Sequence, residues 1–306
     1  MLAFVLRRLA TMVLVLFCVV SVTFFLIRLA PGGPFDRERA LPPAIEQALL
    51  AKYKLDGTLW QQYTGYIGDL VRGDLRLSTK YRNRSVNELL AQTLPTTALL
   101  GLIAFGIAAV GGVVLGGWAA ARRGKADETG AMFLAILAIS IPTFVSGPLL
   151  ILIFSLKLGW FPVGGLSSPS SLVLPAITLA GPYVAYIARL IRTSMLEVLD
   201  LDFVRTARAK GLPEWKVVSK HAAKVAFLPV LSFLGPLAAH LLTGSIVVET
   251  IFNIPGAGGF FVHSIQNRDG FLLGGVVIVY CTVLVLLNLL VDIAYTWMDR
   301  RIQLYE

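Results

Sequence analysis

Charged residues are scarce in this chain of 306 residues. Asp, Glu, Lys and Arg make up 15% of the sequence, against about 25% in ordinary soluble proteins, and the mean hydropathy is +0.75. The only two cysteines, Cys18 and Cys281, both lie in apolar runs, where a thiol behaves as a small hydrophobe. These shortages exclude an ordinary soluble domain and indicate neither a disulfide nor a metal site.

Sequence motifs for catalysis are absent as well. The Gly124-Lys125 pair is followed by Ala126, so it does not form a phosphate-binding loop, and there is no H-E-x-x-H or G-x-S-x-G motif. The histidines fall on different segments, and the remaining ionisable groups do not converge at one depth as a membrane enzyme would require. We therefore expect no enzyme and no bound cofactor: the chain borrows its energy from another subunit, or it is a carrier or channel that uses none.

Long apolar runs are abundant. Six of them reach the roughly 20 helical residues that cross a hydrocarbon core of about 30 Å. The sequence predicts an all-α integral membrane protein with six spans. These spans are Leu9–Leu29, Thr96–Ala121, Met132–Leu156, Leu172–Leu190, Phe227–Ile251 and Phe271–Trp297.

The basic residues predict the topology. The net charge of +9 comes from clusters beside apolar runs, which favours lipid headgroups as partners over nucleic acid. The connections that begin near Arg122 and Arg189 carry eleven Lys or Arg, whereas the connections from Gly159 to Ser171 and from Phe252 to Gly270 carry one. Because Lys and Arg accumulate in short cytoplasmic loops, both basic connections and both termini are expected in the cytoplasm.

The long connection before the second span predicts a small external cap. Its apolar residues recur at helical spacing around Leu49 and from Tyr63 to Leu70, which indicates two short amphipathic helices. Helices on the membrane surface and a docking surface for an external partner both remain open. We expect residues 1–95 to form the first span and this cap, and residues 96–306 to form a core of five spans.

Proline and glycine mark the central spans. The third to fifth spans contain prolines, which kink helices and indicate a lining where protein or water satisfies the backbone, although such residues are also common in membrane helices. The second span carries glycines suited to close helix packing. These glycines are Gly101, Gly106, Gly111, Gly112 and Gly116.

The polar residues within the spans suggest a second group of functional side chains. Glu249 and Arg28 both fall toward the outer boundary, where an ion pair between the fifth and first spans and two separate solvated charges are alternatives. His240 and Asn288 are more often hydrogen-bonding partners between helices than ligands of a substrate. The possible intramembrane polar network therefore contains these four residues.

A compact basic segment lies between the fourth and fifth spans, at about 191–226. A helix over Phe203–Gly211 would place Val204 and Ala207 on one narrow side with Gly211, a small surface that permits the close approach of a partner. Arg205 and Lys210 would point elsewhere as charged anchors. Gly211 and the nearby proline are a strong signal for the end of this helix.

The sequence RTARAKGL at Arg205–Leu212, with the Leu-Pro pair at Leu228, resembles the signature loop of bacterial ABC importer permeases in its peptide-transporter form. Thr206, Ala207 and Arg208 stand where the general family has E-A-A. The segments IRLAPGGPF, YIARLIRTSMLEVL and GSIVVETIFNIPGAGGFFVHSIQNRDG extend the resemblance to the dipeptide and oligopeptide permeases, and in particular to the B-type (OppB-like) subunits of the oligopeptide systems. The likeness covers nearly the whole chain.

This resemblance implies a type I importer fold in the bacterial cytoplasmic membrane and a half-channel for oligopeptides. It implies as partners a second homologous permease, two ABC ATPase subunits that hold ATP and Mg, and an extracytoplasmic peptide-binding protein. Dipeptides, nickel, glutathione or another small solute are alternative substrates. The residues implied to couple the chain to the ATPases are Val204, Arg205, Ala207, Arg208, Lys210, Gly211 and Leu212.

Overall fold

A computed structural model describes residues 2–29 and 43–298 of the chain. Within these residues the regular elements are helices, and one isolated bridge pairs Leu77 with Ser85. The chain forms two compact units. Unit 1 comprises Met1–Thr97 and Gly256–Val285, and unit 2 comprises Ala98–Pro255 and Leu286–Glu306.

The apolar helices agree with the predicted spans. Five described helices are long and apolar enough to cross a membrane, and a bent pair makes a sixth if it counts as one span. The five are Leu6–Leu29, Val86–Ala121, Pro169–Leu199, Leu228–Ile251 and Gly270–Ala294. The all-helical fold is therefore confirmed.

The predicted third span is not straight. Helices Ala126–Ser140 and Thr143–Lys157 meet at an angle of 108°. Ile141 is extended, with φ −83° and ψ 117°, because the ring of the following proline disfavours a helical residue before it. Pro142 is extended too, with ψ 146°, and has no N–H to continue the helix.

Unit 1 confirms the two short helices predicted in the long connection before the second span. In the second of them, the Thr58 hydroxyl accepts a hydrogen bond from the Gln61 N–H, and the Gln61 side chain accepts one from the Thr58 N–H. This reciprocal cap fixes the start of the helix. The helices of unit 1 are α1 (Leu2–Leu29), α2 (Pro43–Lys52), α3 (Leu59–Val71), α13 (Gly258–Gln266), and the parts of α4 (Val86–Ala121) and α14 (Gly270–Met298) that belong to it.

An aromatic core holds α1, α3 and α14 together in unit 1. The ring of Phe24 lies 5.4 Å from Tyr63 and 5.6 Å from Tyr66, and the Tyr63 hydroxyl lies 2.7 Å from Ser21 Oγ. Beside these rings, the buried Asp269 carboxylate accepts hydrogen bonds from the Ser78 hydroxyl and from the Leu272 N–H. Asp269 thus caps α14 and fastens the loop before α4.

Unit 2 contains the third to fifth predicted spans around a core of aliphatic side chains. Its buried residues include Leu100, Ile187 and Leu241. Its helices are the remaining parts of α4 and α14, α5 (Ala126–Ser140), α6 (Thr143–Leu150) with a π-helical turn (Ile151–Lys157), α7 (Val173–Leu199), α8 (Asp202–Ala209), α9 (Glu214–Lys216) with a π-helical turn (Val217–Ala222), α10 (Ala223–Ala226), α11 (Leu228–Leu242) and α12 (Ile246–Ile251). The division of the sequence into 1–95 and 96–306 stays a prediction, since each compact unit joins separate segments.

Candidate functional site

The basic segment, about 191–226, begins in the last turns of α7 and continues over residues 202–226 as a chain of short helices before α11. Its first helix, α8, ends at Ala209, and the next begins at Glu214, as the glycine and proline between them predict. Gly211 has φ +77°, a left-handed conformation that glycine adopts without a steric penalty. The Gly211 N–H donates to the Arg208 carbonyl at 2.9 Å and closes the turn.

The small-residue face of α8 is turned inward. Val204 is fully buried and Ala207 is 5% exposed, and both pack in a cluster with Met195, Val198 and Val217. Leu212 is half-buried against the same cluster. The structure thus places these residues in the packing of the chain itself, rather than on the surface where the sequence places a face for a partner.

A bidentate ion pair fastens the turn after α8. Arg208 Nη2 lies 2.7 Å from Glu214 Oε1, and Arg208 Nε donates to Glu214 Oε2 at 3.1 Å. The hydrogen bonds from Arg208 lower the pKa of the Glu214 carboxyl below its usual value. Because both side chains are exposed, the pair contributes little stability but holds α8 and α9 in one geometry.

The charged anchors of α8 face solvent. Arg205 lies 3.5 Å from Asp202 and its side chain is 68% exposed, and Lys210 is exposed at the end of the helix. Two aromatic residues of this segment that the sequence does not single out are also exposed: Phe203 at 42% and Trp215 at 67%. Large rings in an otherwise polar connection were the signal that could have identified them.

The sequence also did not predict an ion pair at the start of the basic segment. Arg192 of α7 lies 2.5 Å from Glu128 of α5, whose carboxylate also accepts a hydrogen bond from the Gly124 N–H at 2.8 Å. The Glu128 side chain is 6% exposed and that of Arg192 is 29% exposed. The pair links α7 to the first turn of α5, directly after the basic connection that follows α4.

The four polar residues predicted within the spans lie in different surroundings. The guanidinium of Arg28 lies over the rings of Phe24 and Phe271 in unit 1, at 5.6 and 5.9 Å from their centroids. Glu249 is 4% exposed in α12 of unit 2. Their ion pair stays a prediction.

The other two polar residues lie in unit 2, His240 on α11 and Asn288 on α14. The exposed His240 ring lies 5.9 Å from the ring of Tyr183, edge to face. Asn288 is half-buried next to Gly235, where a Cβ atom would come within 3.0 Å of the Asn288 Oδ1. The predicted network of the four polar residues stays a prediction.

An all-helical chain with five or six apolar spans and a polar helical segment between two of them is a multi-pass membrane protein. Residues 112–304 match the family described as "Binding-protein-dependent transport system inner membrane component". Because relatives 42% identical over 99% of this chain are permeases of oligopeptide and dipeptide transport systems, the chain belongs to the dipeptide and oligopeptide permeases of ABC importers. This membership agrees with the resemblance found in the sequence.

Two relatives illustrate the match. The chain is 42% identical to the oligopeptide transport system permease protein OppB of Haemophilus influenzae over 305 residues, which are 99% of this chain and 100% of the relative. It is also 42% identical to the dipeptide transport system permease protein DppB of Bacillus subtilis over 303 residues, covering 99% of this chain and 98% of the relative.

A solved structure shows the same fold. The inward-facing MetNI methionine ABC transporter superposes with a TM-score of 0.56 at 16% identity, over 69% of this chain and 97% of the matched chain. The type I importer permease fold predicted from the sequence is therefore confirmed.

Proposed function

We propose that this chain forms one half of the translocation channel of an ATP-driven importer for oligopeptides, and that the basic segment receives the motion of the ATPase subunits. The observation that carries the proposal is the construction of that segment. Val204 and Ala207 pack the segment against α7, and Phe203, Arg205 and Trp215 are exposed where a partner can reach them.

Rigid attachment is what a coupling element requires. Because Arg208 and Glu214 close the turn and the buried cluster joins α8 to the end of α7, a push on the exposed face is transmitted to a membrane-spanning helix. Among the residues implied by the resemblance, Arg205 and Lys210 meet the ATPase directly. Val204, Ala207, Arg208, Gly211 and Leu212 keep the segment in shape.

The other components of the importer are assigned to partner proteins. We assign the basic segment, about 191–226, and both termini to the cytoplasmic side of a bacterial inner membrane, and the excess of Lys and Arg in the segment supports this orientation. ATP and Mg are held by two ABC ATPase subunits, a second homologous permease completes the channel, and an external binding protein delivers the peptide. The dipeptide permease among the relatives makes dipeptides the second candidate substrate.

Alanine at Trp215 tests the contact with the ATPases. Removing a central exposed tryptophan from an interface costs about 2 kcal/mol, so we expect roughly thirtyfold weaker binding of the copurifying ATPase subunits. Binding is measured with the purified permease pair in nanodiscs. Trp60→Ala is the matched control, because Trp60 is equally exposed, at 67%, but lies on α3. Equal binding by both variants would contradict the proposal.

The substitution Gly211→Leu tests whether the basic segment transmits the motion of the ATPase subunits to the membrane-spanning helices. Apart from its chain neighbours, no atom lies within 4 Å of a Cβ at this position, so the Cβ meets no clash and the positive φ costs about 1 kcal/mol of backbone strain. We expect normal insertion but ATP hydrolysis that no longer drives peptide uptake. Gly124→Leu carries the same strain, at φ +79° in equally open space, but lies outside the basic segment. Uptake lost equally in both variants would argue against a specific coupling role.

A further inference from the structure

One exposed face of unit 2 differs from the others in its side chains. The exposed residues of α4 and α5 include Val110, Val114 and Leu134, each about two-thirds exposed, as expected for helices that face lipid tails. None of the large hydrophobic residues exposed in the described structure lies within α11. The exposed positions of α11 are instead Pro229, Ser232, Pro236 and His240.

Helix α7 extends this face. The rings of Tyr186 and Phe233 are 4.5 Å apart, and those of Tyr183 and His240 are 5.9 Å apart. Together they form the α7–α11 strip, which consists of Tyr183, Tyr186, Ser232, Phe233, Pro236 and His240.

A firm core supports the strip from behind. Ile187 of α7 and Leu237 and Leu241 of α11 are all at most 2% exposed and belong to the same hydrophobic cluster. The two helices are therefore fixed against each other, and the strip is a preformed surface.

The position of the strip makes lipid an unfavourable neighbour. His240 lies near the middle of the apolar helix Leu228–Ile251, and Tyr183 and Tyr186 lie near the middle of Pro169–Leu199. Polar and ionisable groups in the hydrocarbon region are costly unless they face protein or water. An exposed imidazole and partly exposed phenols at this depth indicate a water-filled path.

The chemistry of the strip suits a peptide. Phenol, imidazole and hydroxyl groups donate and accept hydrogen bonds without a fixed charge, which matches the alternating N–H and C=O groups of a peptide backbone. The rings of Tyr186 and Phe233 offer contact to apolar side chains of any shape. We infer that the α7–α11 strip is the wall of the translocation path that contacts the backbone of the passing peptide. This inference rests on the proposed function and names its substrate-contacting surface.

Cysteine labelling tests the inference. In a chain with Cys18 and Cys281 replaced by alanine, Ser232→Cys and His240→Cys are each introduced and assembled into the full transporter in proteoliposomes. A charged, membrane-impermeant methanethiosulfonate reacts with a thiolate in water, so we expect these positions to react at least about tenfold faster than thiols in lipid. Val110→Cys and Leu134→Cys are the controls, at 66% and 65% exposure.

Protection by substrate completes the test. Saturating trialanine is expected to slow labelling at positions 232 and 240 severalfold, whereas free alanine is expected to have no effect. If neither strip position reacts faster than the controls, the strip is covered by the second permease or by lipid and the inference is wrong. It is also wrong if the positions react but trialanine gives no protection in vesicles that take trialanine up. Tyr186→Cys provides a third position if either variant fails to assemble.

The two levels of the proposal fail separately. The labelling pattern requires no ATPase contact, whereas the Trp215→Ala comparison measures only that contact. If Trp215→Ala binds the ATPase subunits normally while trialanine protects positions 232 and 240 from labelling, the coupling role is wrong. The assignment of the α7–α11 strip to the translocation path then still stands.

Discussion

The substitution Gly116→Ala is expected to lower the unfolding free energy of unit 2 by about 3 kcal/mol. This is in the upper part of the range for overpacking a well-filled interior. A Cβ atom there would collide with the carbonyl oxygen of Ala188 and lie 2.9 Å from the Cβ of Ile191. The obstructing oxygen belongs to the backbone of α7, so no change of side-chain rotamer relieves the clash. Equilibrium unfolding of the purified chain in mixed SDS micelles measures the loss.

The neighbouring Gly117 provides the control. It lies in the same helix, and no atom lies within 4 Å of a Cβ built on it. Gly117→Ala should therefore be neutral or stabilise by up to about 1 kcal/mol, the ordinary difference between the two residues in a helix. Equal unfolding free energies for the two variants would show that α4 and α7 are farther apart than the structure has them.

The glycines of α4 illustrate how far the sequence predicts the packing. Its small residues correctly indicate close helix contacts, and Gly101, Gly112 and Gly116 indeed leave no room for a Cβ atom. Gly106 has open space around it, and Gly111 has only ordinary contacts. Composition cannot separate the two groups, because the crowding depends on which turn of α7 or α11 crosses each glycine.

The spans were predicted from a simpler physical quantity. Length and apolarity along one helix decide whether it can cross a bilayer, so the six runs could be located without knowing their neighbours. The bend at Pro142 was not predictable in size, since proline removes one hydrogen bond but leaves the angle to the surrounding packing. The sequence therefore predicted a kinked helix where the structure has a turn of 108°.

The basic segment shows the same limit at the candidate site. Local sequence signals predicted its first helix, the place where that helix ends, and its exposed charges. The burial of Val204 and Ala207 was not, because a small apolar face suits the interior of the chain and a partner protein equally well. Only the positions of Met195 and Val217 decide between these two surroundings.

The substitution Asp69→Asn is expected to lower the unfolding free energy of unit 1 by about 3 kcal/mol, because it leaves the buried guanidinium of Arg76 without its counter-ion. Asp69 Oδ2 lies 2.8 Å from Arg76 Nε and 3.0 Å from Lys54 Nζ. The Arg76 side chain is only 6% exposed and is held between the rings of Tyr66 and Phe271. The same unfolding measurement in SDS micelles tests this change.

Acid should reproduce the effect in the unmodified chain. Burial alone would raise the pKa of Asp69, but the hydrogen bonds from Lys54 and Arg76 outweigh it and hold that pKa below its usual value. A carboxyl group with a lowered folded-state pKa stabilises above its unfolded pKa of about 3.9, and this stability is lost as pH falls through the folded pKa. Below about pH 4 the unmodified chain should therefore lose stability more steeply than Asp69→Asn.

The matched control is Glu88→Gln, which removes the ion pair of Glu88 with Arg84. That pair is 3.0 Å long, but its side chains are 48% and 37% exposed, so solvent screens it and the loss should stay below about 1 kcal/mol. The contrast between the two variants isolates burial as the cause, since each replaces one carboxylate by its amide. A loss at Asp69 no greater than at Glu88, together with equal acid slopes, would mean that water reaches Arg76 and that unit 1 does not depend on this pair.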